Sequence, residues 1–124
     1  LFGWLLGSAL IVTAAVLKRR RRNRYRRAAL AELASIESQS DIHSAETAEQ
    51  IAALLKRTAL AAYPREQIAS LFGADWAYFL KDSCNNDKRI SDAAEQLAVA
   101  AYHPDCDGKS LINPARRWIR LHRA

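Results

Sequence analysis

The chain has 124 residues, room for one domain. Half of it is apolar and 26% is charged, which excludes a disordered polymer, and two cysteines are too few for a disulfide-stapled mini-protein. The net charge of +6 hides a three-part layout. Residues 1–17 carry no charge. Residues 18–27, KRRRRNRYRR, hold 8 of the 19 cations and no acid. Residues 28–124 hold the other 11 cations and all 13 acids, a net −2. A uniformly basic nucleic-acid-binding domain does not fit this distribution.

Residues 1–17, LFGWLLGSALIVTAAVL, predict a transmembrane helix. At ~1.5 Å per residue the run covers about 25 Å, slightly short of a ~30 Å hydrocarbon core. The chain opens on Leu rather than Met, so an N-terminally trimmed segment is expected. A signal peptide fits less well, because the cations follow the apolar run and no small-x-small cleavage site precedes the body. A buried soluble helix also fits less well, because the run is apolar on all faces. Trp4 suits an interfacial aromatic. Gly3 and Gly7 form a GxxxG spacing that lets helices approach closely in lipid.

The basic block Lys18, Arg19, Arg20, Arg21, Arg22, Arg24, Arg26 and Arg27 predicts a cytoplasmic flank, with the N-terminus outside and the body inside. Its position also predicts contact with anionic lipid headgroups, at ~1 kcal/mol per basic residue near an anionic leaflet. The alternative use of the block is a membrane-tethered nucleic-acid-binding module. Tyr25 sits where an interfacial aromatic would rest.

Residues 28–38, AALAELASIES, are strong helix formers with Leu30, Leu33 and Ile36 at helical spacing. One helix is expected to leave the membrane and run through the basic block to about Ser38, making 18–38 a juxtamembrane helix. Ser38–His43 reads as a polar loop. Ser44 is the expected N-cap of a helix over 45–63, with Glu46 and Glu49 at its positive end and Ala48, Ile51, Ala52, Leu55, Ala59 and Ala62 on one face.

Pro64 suits the first turn of a short helix whose apolar side is Ile68, Leu71 and Phe72 and whose stop is Gly73. A helix from Ala74 or Asp75 carries Trp76, Phe79 and Leu80 inward. Residues 82–90, DSCNNDKRI, are expected to form the most mobile loop. Ser91 is the expected cap of the next helix, with the stripe Ala94, Leu97, Ala98 and Ala101, ending at about Tyr102 before His103-Pro104. Asp105–Gly108 reads as a turn. The last helix is expected over Ser110–His122, with Pro114 in its first turn or kinking a longer helix, and with Trp118 and Ile119 as anchors. No segment alternates like a strand. The fold class is all-α: a membrane helix, then a cytoplasmic bundle of about five helices over 39–124.

Chemical motifs are weak. Gly108-Lys109-Ser110 resembles the tail of a phosphate-binding loop, but position 103 is His where that loop needs Gly. His103 and Cys106 flank a stiff turn, yet no second ligand pair stands at zinc spacing. Asp105-x-Asp107 begins like a calcium loop whose later positions fail. Nothing marks Cys84 as activated. No catalytic residue, metal site or cofactor is expected. Arg116, Arg117 and Arg120 share the last helix with few acids nearby in sequence, and are expected to meet an acidic partner.

The run Arg22-Asn-Arg-Tyr-Arg-Arg-Ala-Ala-Leu-Ala-Glu-Leu33 after an apolar segment, Leu54-Leu-Lys-Arg-Thr-Ala-Leu-Ala-Ala-Tyr-Pro-Arg65, Ile68-Ala-Ser-Leu-Phe-Gly73 and Ala115-Arg-Arg-Trp-Ile-Arg120 together resemble a bacterial inner-membrane family of uncharacterised domains. Its members are encoded beside MoxR-type AAA+ ATPases and membrane proteins with von Willebrand factor A domains (Bat-type clusters). Phe72 departs from the small polar residue frequent there. The resemblance implies a non-catalytic, membrane-anchored adaptor or scaffold whose partners are a MoxR-type ATPase and a von Willebrand factor A-type protein. It identifies no catalytic residue.

Overall fold

The structure is a computed structural model that describes residues 2–39, 41–100, 102 and 106–123. Among the described residues there are six helices and no strand. The first, α1 (Phe2–Glu37), is continuous from the apolar run through the basic block into the body, as its unbroken string of helix formers predicts.

Its expected role as a span needs correcting in one respect. Among the described residues no helix is long and apolar enough to cross a membrane. The apolar part of α1 ends at Leu17, a rise of only ~24 Å, against a ~30 Å hydrocarbon core.

The second helix, α2 (Ala45–Ala62), begins where Ser44 caps it: Ser44 Oγ accepts from the Thr47 amide at 3.1 Å. It stops at Tyr63, held extended before Pro64. The third, α3 (Arg65–Ile68), is a single turn. The expected helix stop at Gly73 is not observed. Gly73, at φ +57, instead opens α4 (Gly73–Asp82), and Phe72, expected to pack inward, is 73% exposed.

The loop expected over 82–90 is shorter than its polarity suggests, since only residues 83–87 lie between helices. Asn85 and Asn86 both take φ 55, the left-handed region that short amide side chains tolerate, and fold the chain back within a few residues. Asp87, not Ser91, caps α5 (Lys88–Val99), accepting from the Ile90 amide at 3.4 Å. The expected extension of this helix to Tyr102 is not seen: α5 ends at Val99, and Ala101 lies outside the described residues. The last helix, α6 (Gly108–Leu121), starts two residues earlier than expected because Asp107 caps it, accepting from the Lys109 amide at 3.0 Å. Pro114 therefore lies inside the helix, where it removes one backbone donor.

Packing joins α4 to α5, and α2 to both α1 and α6, with α5 also against α6. From α1 only the C-terminal half enters the core, through Ala29, Leu33 and Ile36. The expected anchors Leu55, Trp76, Phe79 and Trp118 are all buried in one cluster. Trp76 stacks on Phe79 at 5.5 Å, and Phe79 meets Trp118 at 6.5 Å.

Gly108 lets α6 begin against α2. A Cβ there would stand 2.6 Å from the Ile42 carbonyl oxygen and 2.7 Å from Thr47 Cβ. Two ion pairs fasten α1 to the body: Glu32 to Arg57 at 2.5 Å, and Glu37 to Arg116.

Candidate functional site

Three surfaces stand out, and all begin from α1 or α6. The first is the apolar half of α1. Trp4, Leu5, Leu6, Leu10, Ile11, Val12, Val16 and Leu17 are exposed on every side of the helix. Gly3 and Gly7 have open space where a side chain would stand. Fully covering side chains of this size is worth about 1.5–3 kcal/mol each. Together that is on the order of 10 kcal/mol, comparable to the net stability of a whole domain.

The second surface is the basic block. Lys18, Arg19, Arg20, Arg21, Arg24 and Arg27 are exposed, whereas Arg22, Tyr25 and Arg26 are half-buried against the body. Arg26 is not an outward lipid ligand. Its guanidinium donates to the carbonyl oxygens of Arg120 at 2.8 Å and His122 at 2.5 Å, at the C-terminal end of α6, where cations complement free carbonyls. Tyr25 meets the His122 ring with their polar atoms 2.7 Å apart, so it is a docking residue as well as a candidate interfacial aromatic.

His122 is the residue that sequence reasoning missed most plainly. It is buried, stacked on Trp118 at 4.3 Å and 14°, and its Nδ1 lies 2.9 Å from the Trp118 carbonyl. Burial pushes its pKa down to about 4; Arg26 and Arg22 push the same way, against the bond to Trp118. The signal was present: position 122 continues the 111–115–118 face of α6.

The third surface is a groove of about 620 Å³ between α5 and α6, with Arg89, Arg116, Arg117 and Arg120 on its walls and Asp92 as its one acid. The expectation that few acids lie near the arginines of the last helix does not hold in three dimensions. Arg116 pairs with Glu37. Arg117 makes a two-pronged bond to Asp87, at 2.7 and 2.8 Å, that holds the Asp87 carboxyl below its ordinary range. Arg120 is exposed, and Arg89 of α5 adds a cation that no local pattern groups with α6.

Groups suited to nucleophilic chemistry are scattered. Cys84 is buried with Sγ 3.0 Å from the Leu80 carbonyl, and burial raises its thiol pKa, the opposite of activation. His43 meets Asp107 at the surface, 3.0 Å apart. Among the described residues no cluster of His, Cys, Asp or Glu could hold a metal ion. His103 and Asp105 of the turn beside Cys106 lie outside the described residues.

The sequence of residues 1–121 matches the family described as Domain of unknown function (DUF4381). The chain belongs to that family. No curated protein matches it, and no solved structure does. The DUF4381 match covers the apolar run, the basic block and nearly all of the helical body, so the three parts belong to one domain type.

Proposed function

We propose that this DUF4381 chain is a membrane-anchored, non-catalytic adaptor. The apolar half of α1 inserts into the bacterial inner membrane, and the helical body on the cytoplasmic side presents the α5–α6 groove to an acidic surface of a partner. One observation carries the reading: a fully unpartnered apolar helix half that runs directly into eight cations. Water is a poor solvent for the first part, and an anionic headgroup layer suits the second. The charge bias places the body inside and the N-terminal side outside.

The partners we propose are a MoxR-type AAA+ ATPase and a von Willebrand factor A-type membrane protein, following the family resemblance of the Arg22–Leu33 and Leu54–Arg65 segments. The test is affinity purification of the chain from detergent-solubilised native membranes. Co-purification of either partner is the expected result. Release of the chain by alkaline carbonate without detergent would sink the anchor, and recovery of neither partner would sink the adaptor role. A C-terminal reporter active only in the periplasm is expected to stay silent.

A further inference from the structure

Lys18, Arg21, Arg22 and Tyr25 follow the spacing i, i+3, i+4, i+7, which places them on one face of α1. That face looks onto the end of α2, and between the two lies a cavity of about 250 Å³ closed by Ala61, Ala62 and Tyr63. Three cations therefore line one hollow, with no acid on its walls.

Like charges at i, i+3 and i, i+4 repel one another on a helix. None of the three has a hydrogen-bond or ion-pair partner among the described residues, in contrast to Arg57, Arg116 and Arg117, which all do. Arg22 is half-buried there. The ring of Tyr63 closes the inner side of the hollow, packed edge-on against Phe79 at 5.0 Å. The carbonyls ending α2 offer only about half a negative charge, too little to balance three cations. Lys18 follows Leu17 directly, so the hollow sits at the level where the apolar part of α1 gives way to headgroups.

We propose that this hollow is a binding site for one phosphate group, carried by an anionic lipid headgroup, with Lys18, Arg21 and Arg22 as its charge partners. It rests on the membrane anchoring argued above and adds a defined seat to what would otherwise be diffuse attraction.

The test uses the full chain in phosphatidylcholine nanodiscs with increasing mole fractions of phosphatidylglycerol, reading the melting temperature of the body. We expect melting to rise and saturate. The mole fraction at half-rise should increase about tenfold in Arg22→Gln and Arg21→Gln, the loss of one charge-assisted contact each. It should change less than about twofold in Arg22→Lys, which keeps the charge. Arg19→Gln and Arg20→Gln remove exposed cations outside the hollow that meet headgroups only diffusely, so each should shift the half-rise by less than about twofold. Arg21→Gln keeps the test decisive if Arg22→Gln melts early in phosphatidylcholine alone. Equal losses in all the arginine-to-glutamine variants would overturn the pocket in favour of smeared charge. Inorganic phosphate reproducing the whole rise in phosphatidylcholine discs would overturn the lipid assignment. A chain that enters neither kind of disc overturns the anchor together with the pocket, whereas a chain that enters but gains no stability overturns the pocket alone.

Discussion

Tyr25 donates its hydroxyl proton to Nε2 of His122 across 2.7 Å. The direction follows from the other ring nitrogen: Nδ1 faces the Trp118 carbonyl at 2.9 Å, which can only accept, so Nδ1 carries the proton and Nε2 must receive one. One neutral imidazole thus joins the end of the basic block to the last helix. Arg26, one residue on, grips the same strand of carbonyls. Where α1 leaves the apolar segment, its heading relative to the body is set by these contacts.

The first prediction is a pH dependence of folding. Unfolded, the imidazole titrates near 6.5; folded, it resists protonation until about pH 4. Between those values the unfolded chain binds the extra proton, so stability rises with pH. The contribution of His122 is complete above about 6.5 and is lost as pH falls toward 4, a change of ~3 kcal/mol. Urea denaturation at pH 7 and pH 4.5 checks it. His122→Phe, which keeps a stacked ring, should flatten the dependence in that window.

The second prediction concerns Trp118. It is fully buried, and its indole N–H donates to the buried Ser83 hydroxyl at 2.9 Å. Trp118→Ala leaves a cavity, removes the floor of the His122 stack and takes away the donor to the Ser83 oxygen, which keeps only its own bond to the Leu80 carbonyl. A cost of ~3–5 kcal/mol is expected, comparable to the whole stability of a small domain. A variant that melts like wild type would remove Trp118 from the core.

Gly108→Ala is the third. In an open helix position Ala is better than Gly by ~1 kcal/mol. Here the added methyl would stand 2.6 Å from backbone, the Ile42 carbonyl, which cannot swing aside as a side chain would. We expect the crowding to win and to lower stability by ~1–3 kcal/mol. An unchanged or raised melting temperature would show that the start of α6 has room to shift.

How much of this was legible in the sequence differs by element. The length of α1, the Ser44 cap and the anchors Leu55, Trp76, Phe79 and Trp118 follow from local spacing and capping chemistry, which one sequence displays. The turn at 83–87 is tighter than the polarity of DSCNNDKRI alone suggests. Asn85-Asn86-Asp87 is two left-handed residues followed by a cap, a pattern that makes a tight turn. The arginines of α6 line one groove, but their partners Glu37 and Asp87 lie 79 and 30 residues away, and no local pattern reports such pairing. Tyr25, Tyr63 and His122 meet only when α1, α2 and α6 converge, so the hollow beside them was invisible.

Asp87 gives the fourth prediction, because it has two separable jobs. It caps α5 and it receives the fork of Arg117. Asparagine also caps well but carries no charge. The melting temperatures should therefore fall in the order wild type, Asp87→Asn, Asp87→Ala. Since the folded carboxyl is held below its ordinary pKa, the Arg117 contribution is present above the unfolded value and is lost as pH falls through the folded one. The gap between wild type and Asp87→Asn should close in acid. A gap that stays open there would mean the ion pair adds nothing and the cap alone matters.

The last prediction divides the arginines of the α5–α6 groove by task. Arg116 and Arg117 are committed to Glu37 and Asp87, so removing them should lower the melting temperature whether or not a partner is present. Arg89 and Arg120 are exposed on the same groove, and neither side chain makes an ion pair among the described residues. Exposed charges of this kind contribute little to folding. They can, however, steer an acidic surface and hold its register, and like charges brought face to face cost several kcal/mol. The double reversal Arg89→Glu with Arg120→Glu should thus leave the melting temperature of the chain nearly unchanged while abolishing recovery of the partner from solubilised membranes. Arg117→Gln should do the reverse: a measurable loss in melting temperature, with partner recovery retained below that melting point. Salt sharpens the contrast, since a rim interaction screened over a ~8 Å Debye length at physiological ionic strength weakens as salt is added. Undiminished recovery of the partner by the double reversal would remove the groove from the binding surface. The exposed side of the basic block would then be the next surface to reverse.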